Sequence, residues 1–220
     1  MANTNPNKNG VTVRRIRCGN GNCFLLLTGE DAVLVDTARA GSRQAILDAC
    51  KPHHVRLIVL THGHLDHVQN AAFLARALDC PIAMHQADAE LLADNERQAL
   101  SARSLLGKIV LGISLQSFRR DSIEAFTPAV FLKEGDSLQE YGCGATVLEL
   151  PGHTKGSIGL DLGEAGILVG DALMNMFFPT VSMLYHDRKA MLDSARRISS
   201  LGPRLIHFGH GKSVPNRDWV

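Results

Sequence analysis

Three histidines and an aspartate occupy one short stretch of the chain, residues 61–67, with the sequence THGHLDH. Imidazole nitrogens and carboxylate oxygens without a thiolate suit zinc, and also iron or manganese. Residues two apart on extended backbone point to the same side, so His62 and His64 can bind one cation together. Asp66 and His67 diverge from that pair as the chain turns, and we expect them to serve a second, neighbouring cation.

A buried strand before this stretch and a helix after it must position these ligands. Residues 56–60 form a short apolar run that is typical of a buried strand. Apolar residues recur at helical spacing from residue 68 to residue 78. The motif is therefore predicted to lie on a loop between the end of a strand and the start of a helix, where open α/β sheets place their sites.

Three later turns each follow a predicted strand and carry a further side chain that can bind a metal. His153 follows the strand predicted at residues 145–150. Asp171 and His210 follow in the same way after residues 165–169 and 204–208. Each turn contains a glycine, which lets the backbone approach closely. A lone histidine after a strand is a weak signal, but the three together, in this order after the first motif, form a strong set.

The order of the expected elements is a β-rich run that leads into αβ units, and it occurs twice. Strands are predicted at residues 11–18, 23–27, 32–36, 56–60, 81–85, 131–138, 145–150, 157–162, 165–169 and 204–208. Helices are predicted at residues 42–50, 68–78 and 188–201, and residues 87–126 have a helical composition interrupted near Gly107 and Gly112. Two sheets packed face to face, with helices outside, would bury such apolar strands.

Composition and charge limit the class of protein. The 220 residues are 45% hydrophobic and 20% charged, which is ordinary for a soluble globular protein. A net charge of +1 gives no reason to expect nucleic acid or a membrane as a partner. Residues 1–10 are polar and are expected to be a disordered lead-in rather than a signal peptide. The five cysteines are scattered, without a C-x-x-C pair, which predicts reduced thiols and a cytoplasmic location.

With these residues in this order, the sequence resembles the metallo-β-lactamase superfamily of metal-dependent hydrolases, from about Val11 to Val214. The resemblance implies an α/β fold, the αββα four-layer sandwich, as a single domain over residues 11–220 with the site at one edge of the β-sandwich. It also implies two divalent metal ions, most suitably Zn²⁺, with Fe or Mn as alternatives. The first would be held by His62, His64 and His153. The second would be held by Asp66, His67 and His210, and Asp171 would bridge the two.

Asp36, at the end of the predicted strand 32–36, matches a family position that supports a ligand histidine from behind. The alternative is that Asp36 is a simple turn residue before Thr37. Asp171 limits which branch of the superfamily the chain resembles, because the main class of zinc β-lactamases carries a cysteine at this position. Asp171 together with Asp66 is the pattern of glyoxalase II and of lactonase-like members, which disfavours antibiotic degradation.

Two further departures from the patterns of known family members limit the class of substrate. Glyoxalase II adds a C-terminal helical region that binds glutathione, whereas this chain stops ten residues after His210. A glutathione thioester is therefore not expected. Acyl-homoserine lactonases place a tyrosine where this chain has Met174. The phosphate-binding signatures of the nuclease members are not evident, so a phosphodiesterase or nuclease activity is also disfavoured.

The function implied is hydrolysis of an activated acyl bond, a thioester, lactone or ester, by a hydroxide that bridges two metals. Asp66 would act as the general base for the attacking water. One alternative is oxidation by a single iron, as in persulfide-dioxygenase-like members. Another is a non-catalytic binding protein, which the intact ligand set disfavours. The expected partner is a small-molecule substrate, and a homodimer stays open.

The longest stretch without a ligand lies between the first motif and His153, and it is where we expect a substrate pocket. Residues 94–126 are predicted to form a helical, lid-like insertion whose apolar part is residues 105–113. A second apolar patch, residues 174–179, follows Asp171, and the two are expected to meet over the metals. The alternative is packing of residues 105–113 on the sandwich or in a dimer. The side chains expected to touch substrate are Met174, Phe177 and Tyr185.

Overall fold

Two β-sheets face each other across a shared apolar core, and helices cover both outer faces. The computed structural model describes residues 10–220. The disordered lead-in predicted at residues 1–10 therefore lies outside the described residues, except for Gly10. The order of layers, helix–sheet–sheet–helix, confirms the predicted αββα sandwich.

The first sheet begins as an antiparallel meander and continues with parallel strands. Its strands are β1 (Thr12–Cys18), β2 (Gly21–Thr28), β3 (Asp31–Val35), β4 (His54–Val59), β5 (Ile82–Met84) and β6 (Val130–Phe131). They lie in sequence order, with β1, β2 and β3 antiparallel and β4, β5 and β6 added in parallel. The antiparallel start predicted from three successive strands is confirmed.

The second sheet is mixed. Its strands are β7 (Thr146–Glu149), β8 (Ile158–Asp161), β9 (Ile167–Leu168), β12 (Leu205–His207) and β13 (Val214–Pro215), and a separate hairpin is formed by β10 (Leu173–Met174) and β11 (Thr180–Val181). The order across the sheet is β13-β12-β9-β8-β7. Only β12 and β9 run parallel. The ends of β4, β9 and β12 all lead into the loops that carry the predicted ligands.

The helices are α1 (Arg43–Cys50), α2 (Leu65–Val68), α3 (Ala71–Leu78), α4 (Leu105–Arg120) and α5 (Arg188–Ser200). The short 3₁₀ turns are Ala40–Ser42, Gln86–Leu92, Gln139–Tyr141 and Gly163–Ala165. The first three helices cover the first sheet, and α5 covers the second. Within residues 10–220, no helix is both long enough and apolar enough to cross a membrane.

Alternation along the strands explains the layers, because successive side chains point to opposite faces of a sheet. Phe24 and Val33 of the first sheet point inward and pack with Leu160 of the second. Leu25 and Leu34, their neighbours in the chain, point outward and pack under the helices. Both faces are buried, which is why these strands are apolar throughout rather than alternating in polarity.

The segment between the two halves of the site differs from the prediction. Helix α4 runs without interruption through Gly107 and Gly112, where a break was predicted. Ser104 caps its start by accepting a hydrogen bond from the Gly107 amide at 3.0 Å, which offsets the low helix propensity of glycine. Residues 93–104, predicted to be helical, form no helix. The strand predicted at residues 131–138 is only Val130–Phe131, because the chain turns at Gly135, whose φ is +81°.

Asn70 joins α3 to α2, a short helix whose residues 65–67 were predicted as loop, and stabilises the loop after β3. In that loop Asp36 and Ala38 have left-handed φ angles of 59° and 53°, which are uncommon for residues with a side chain. The Asn70 amide donates to the carbonyls of residues 37, 38 and 39 at 2.8, 3.3 and 2.7 Å. Three hydrogen bonds from one buried side chain hold the loop in this conformation.

We expect Asn70→Ala to lower the free energy of unfolding by about 2–3 kcal/mol, because buried carbonyls would lose their donor. Urea unfolding of the metal-free protein measures the change. Gln44→Ala is the control, since the Gln44 amide bonds only the exposed Asp48. It should change stability by less than about 0.5 kcal/mol. Equal stability of the two variants would contradict the role given to Asn70.

Candidate metal centre

Four loops, one of which runs into α2, bring seven side chains with metal-binding atoms to one edge of the sandwich. All are buried except Asp66, whose side chain is 29% exposed. The first four lie on the loop after β4 and on α2, and the others follow β7, β9 and β12. The seven are His62, His64, Asp66, His67, His153, Asp171 and His210.

One group consists of His62, His64 and His153, with one ring nitrogen from each within 4.8 Å of the others. Nδ1 of His64 lies 2.9 Å from Nε2 of His153. The His64 ring also stacks on Phe118 of α4, with 5.2 Å between ring centroids. Three imidazoles from distant parts of the chain therefore face a common point and could hold one cation.

A second group consists of Asp66, His67 and His210, whose ligand atoms also lie within 4.8 Å of one another. Nε2 of His210 is 3.5 Å from Asp66 Oδ2 and 3.4 Å from His67 Nε2. The adjacent residues Asp66 and His67 thus meet a histidine that lies more than a hundred residues further along the chain. This group could hold a second cation beside the first.

Asp171 lies between the two groups. Its Oδ1 atom is 3.6 Å from Nε2 of His67. Its Oδ2 atom is 3.3 Å from Nε2 of His210 and 3.8 Å from Nε2 of His153. The carboxylate therefore faces ligands of both groups, which is the bridging position that the resemblance implies.

Main-chain carbonyls orient two of the histidines. Nδ1 of His153 donates to the Leu184 carbonyl at 2.9 Å. Nδ1 of His210 donates to the Asn20 carbonyl, in the β1–β2 turn, at 3.0 Å. An imidazole that donates from Nδ1 keeps its lone pair on Nε2, the atom that each ring presents to the cluster.

Asp36 orients two more of the histidines. Its Oδ2 atom accepts hydrogen bonds from Nδ1 of His67 at 2.8 Å and from the Thr61 hydroxyl at 2.9 Å. Because that hydroxyl gives its one proton to Asp36, it accepts from Nδ1 of His62 at 3.1 Å. Nε2 is then the nitrogen of each ring that is available to bind a cation, once it carries no proton. Asp36 also lies in a turn. Its hydrogen bond to His67 and its position in a turn are therefore compatible, although the sequence presented them as alternatives.

The residues fit a divalent metal, as their unsatisfied atoms show. In the part of the chain that the structure describes, His62 Nε2 and Asp171 Oδ1 are among the buried atoms without a hydrogen-bond partner; His64 Nε2 is another, but it lies on the opposite side of its ring from Nδ1, the nitrogen that faces His153. Buried polar atoms are nearly always satisfied, so such a concentration calls for an explanation. A cation bound among nitrogen and carboxylate donors provides one, and this donor set suits zinc, iron or manganese.

The carboxylates favour protonation of two of the imidazoles. Burial disfavours the charged form of His67, but Asp36 and Asp171 outweigh it and raise the pKa to about 10. Burial likewise opposes a charge on His210, and Asp171 and Asp66 raise its pKa to about 9. A metal ion that binds these rings at neutral pH must therefore displace protons.

Asp88 is a buried carboxylate that sequence analysis missed. Its Oδ2 atom accepts from the Gly63 amide at 2.9 Å and from the Thr154 hydroxyl at 2.6 Å. Its Oδ1 atom accepts from the Gly156 amide at 2.7 Å. Asp88 thereby ties the loop of the first motif to the turn of His153. No spacing in the sequence distinguishes this aspartate from a surface acid.

Asn95 is a second missed residue, and it holds the same loop from the other side. Its Oδ1 atom accepts from the Leu65 amide at 2.6 Å. Its Nδ2 atom donates to the carbonyls of Gly63 and Leu91, at 2.9 and 2.6 Å. Residues 93–104 are irregular in conformation, yet they contribute this buried support.

Two connected spaces lie over the cluster. A narrow cavity of about 40 Å³ is lined by Met174, and a cleft of about 350 Å³ next to it is lined by Phe177. Both spaces are bounded by α4 and by Met176, so residues from both predicted apolar segments lie beside the cluster.

Tyr185, the third predicted substrate contact, lines neither of these two spaces. It lines a separate cleft, together with Arg103 and Met183. Backbone hydrogen bonds of 2.8 and 3.0 Å pair Ser101 with Tyr185 in extended conformation. Neighbouring side chains on extended backbone point in opposite directions. Leu184 therefore lines the narrow cavity, and Tyr185 points away from it.

Comparison with known proteins gives a family match over most of the chain. Residues 16–210 match the family model described as the metallo-beta-lactamase superfamily. The hydroxyacylglutathione hydrolase of Anaeromyxobacter dehalogenans is 31% identical over 213 residues, which cover 92% of this chain and 66% of that protein. The hydroxyacylglutathione hydrolase GloC of Haemophilus influenzae is 28% identical over 195 residues, which cover 86% and 85%. An uncharacterised protein of Mycobacterium tuberculosis is 30% identical over 141 residues, 62% of this chain and 58% of that protein's length.

Solved structures share the fold. The BLEG-1 B3 metallo-beta-lactamase superposes with a TM-score of 0.74 at 21% identity, covering 93% of this chain and 94% of that one. The protein TTHA1623, solved in a di-iron-bound form, gives a TM-score of 0.70 at 26% identity, covering 96% and 100%. At 21% identity, the likeness to the lactamase shows the fold alone.

We expect Asp36→Asn to lower the affinity for Zn²⁺ about 10- to 100-fold, because the amide cannot accept all three hydrogen bonds that Asp36 accepts, from His67 Nδ1, the Thr61 hydroxyl and the Thr61 backbone amide. Competition with a chromogenic chelator measures the affinity. Asp31→Asn is the control, since Asp31 pairs with the exposed His54 at 3.2 Å. Unchanged affinity in the Asp36 variant would contradict the orienting role.

We also expect the apparent affinity for Zn²⁺ to rise between about pH 6 and pH 9. The pKa values of His67 and His210 are raised to about 10 and about 9, so both rings hold protons below pH 9 that the metal must displace. Calorimetry in buffers of different ionisation enthalpy should show proton release at pH 7. An affinity that is independent of pH over this range would contradict the assignment.

Proposed function

Because the chain belongs to the metallo-β-lactamase superfamily, we propose that it is a metal-dependent hydrolase of an activated acyl bond, a thioester, lactone or ester. One observation carries the proposal: five imidazoles and two carboxylates converge at one sheet edge, with Asp171 between the two groups. This donor set is suited to two divalent ions, for which Zn²⁺ is our first expectation and iron or manganese the alternatives.

Each group of ligands would hold one ion. The residues that would hold them are His62, His64 and His153 for one, Asp66, His67 and His210 for the other, and Asp171 for both. When bound, such ions polarise a carbonyl oxygen and lower the pKa of a water molecule toward about 7. The chain contributes the orientation of the ligands and the exclusion of bulk water from a buried centre.

Asp66 is the residue we assign as general base. It is the most exposed of the seven side chains and lines both the narrow cavity and the cleft, so a reacting water can reach it. Burial opposes its charge, but His67 and His210 outweigh this and lower the pKa of its carboxyl. Asp66 is therefore deprotonated at neutral pH and can accept a proton.

The relatives named hydroxyacylglutathione hydrolase, in two bacterial species, support hydrolysis as the reaction class. The alternative is oxidation by a single iron, for which two histidines and a carboxylate are sufficient. Seven convergent donors exceed that need, and this favours the two-metal hydrolase. A cytoplasmic location remains part of the proposal, on the basis of five free cysteines.

We expect two aspartate variants to differ. Asp171→Ala should lower both metal content and kcat/KM, the latter at least about 100-fold, because the variant would lose the carboxylate that faces both groups of ligands. Asp66→Asn should keep one ion per chain and lower kcat about 10²- to 10⁴-fold through loss of the base. Elemental analysis after gel filtration and turnover of thioester, lactone and ester panels measure both. Asp193→Asn, on the surface of α5, is the control.

Three results would count against the proposal. One iron per chain with oxygen consumption would favour oxidation. Full metal content without turnover of any acyl substrate would favour a binding protein. Equal loss of metal and rate in both aspartate variants would leave Asp66 as a plain ligand.

A further inference from the structure

The cleft beside the metal centre has the size and shape of a small-molecule site. Asp66 and His210 lie at its inner end. Its volume of about 350 Å³ is at the lower end of the range, about 300–1,000 Å³, that such sites span. A short chain attached to a reacting carbonyl would fit such a space.

The walls of this cleft are apolar and face solvent. Val110 and Ile113 of α4 form one wall, and Met176 and Phe177 of the β10–β11 connection form another. The side chains of Ile113 and Phe177 are 63% and 57% exposed. Large apolar side chains that line a cleft ending at a reactive centre are suited to cover an acyl chain.

Two arginines line the same cleft and share one carboxylate. Arg39 Nη1 lies 3.2 Å from Asp121 Oδ2. Arg120 donates from Nε and Nη2 to the two oxygens of Asp121, both at 3.0 Å. Two guanidinium groups against one carboxylate leave one positive charge in excess. The other polar side chains along the cleft, apart from Asp66 and His210 of the metal centre, are uncharged.

We propose that this cleft selects acyl substrates that carry an anionic group a short chain away from the scissile carbonyl. The chain lies between Ile113 and Phe177, and a carboxylate at its far end pairs with Arg39 and Arg120. The side chains of both arginines are partly exposed, which leaves them room to turn from Asp121 to a substrate anion. The inference rests on the proposed hydrolase function and adds the substrate class to it.

The anion can sit on either side of the scissile bond, so three thioesters test the proposal. They are S-hexanoyl-N-acetylcysteamine, which is neutral, S-adipoyl-N-acetylcysteamine, with the anion on the acyl side, and S-hexanoyl-3-mercaptopropionate, with the anion on the leaving group. Thiol release by zinc-loaded protein is followed with a chromogenic disulfide. We expect at least one of the anionic substrates to have a KM about fivefold or more below that of the neutral one.

Three variants and a control assign the preference to the arginines. Arg39→Gln and Arg120→Gln should raise KM for the preferred anionic substrate about five- to tenfold, with kcat and the neutral substrate unchanged. Asp121→Asn should lower KM for that substrate, because it removes the competing carboxylate. Arg119→Gln is the control: Arg119 precedes Arg120 on α4 but pairs with Glu96 and does not line the cleft. It should change neither constant.

A binding measurement separates this inference from the proposed function. Calorimetric titration of the zinc-loaded protein with adipate and with hexanoate compares a second carboxylate with a methyl end. Tighter binding of adipate that Arg120→Gln abolishes, without turnover of any thioester, would retain the cleft and overturn the hydrolase. Turnover with equal KM for charged and neutral substrates, and equal binding of both acids, would overturn the inference and leave the hydrolase standing.

Discussion

The buried carboxylate of Asp36 is the interaction on which the rest of the site depends. It connects the end of β3 to the loop after β4 and to α2 through Thr61 and His67. A carboxylate that is 1% exposed is stable only with full hydrogen bonding, and here its partners are the groups that orient two metal-binding rings. Its left-handed backbone is tolerated because Asn70 holds the adjacent carbonyls. Backbone strain and ligand geometry therefore support each other.

Each of the two sheets contributes part of the ligand set, and the two parts meet at the edge of the sandwich. The first contributes the short motif after β4, and the second contributes single ligands after three of its strands. Their loops approach so closely that a β-carbon at Gly209 would collide with Asp171 and His67. Asp88 completes the junction through hydrogen bonds to both halves. Such dense packing limits movement of the ligand side chains. Polar atoms of the cluster therefore stay without a hydrogen-bond partner and are available to a cation.

Chemistry and selectivity lie on different elements. The ligands lie on loops at the ends of strands, where the β-sandwich core holds them rigidly. The cleft is bounded by α4 and the β10–β11 connection, whose apolar side chains face solvent. Val110 and Ile113 of α4 line the cleft and can thus alter what enters, whereas Phe118 of the same helix stacks on a ligand, His64. This division is consistent with a family that applies one metal centre to many substrates.

The sequence by itself determined the layered fold and the ligand types. Apolar runs with short turns encode buried strands locally, and the spacing of His62 and His64 places both on one loop in any such fold. Only the tertiary structure decided which nitrogen each histidine presents, because that depends on acceptors such as Asp36 and Leu184 from other elements. It also decided the roles of Asp88 and Asn95 and the outward position of Tyr185. These features depend on packing between residues far apart in the chain, which local patterns do not encode.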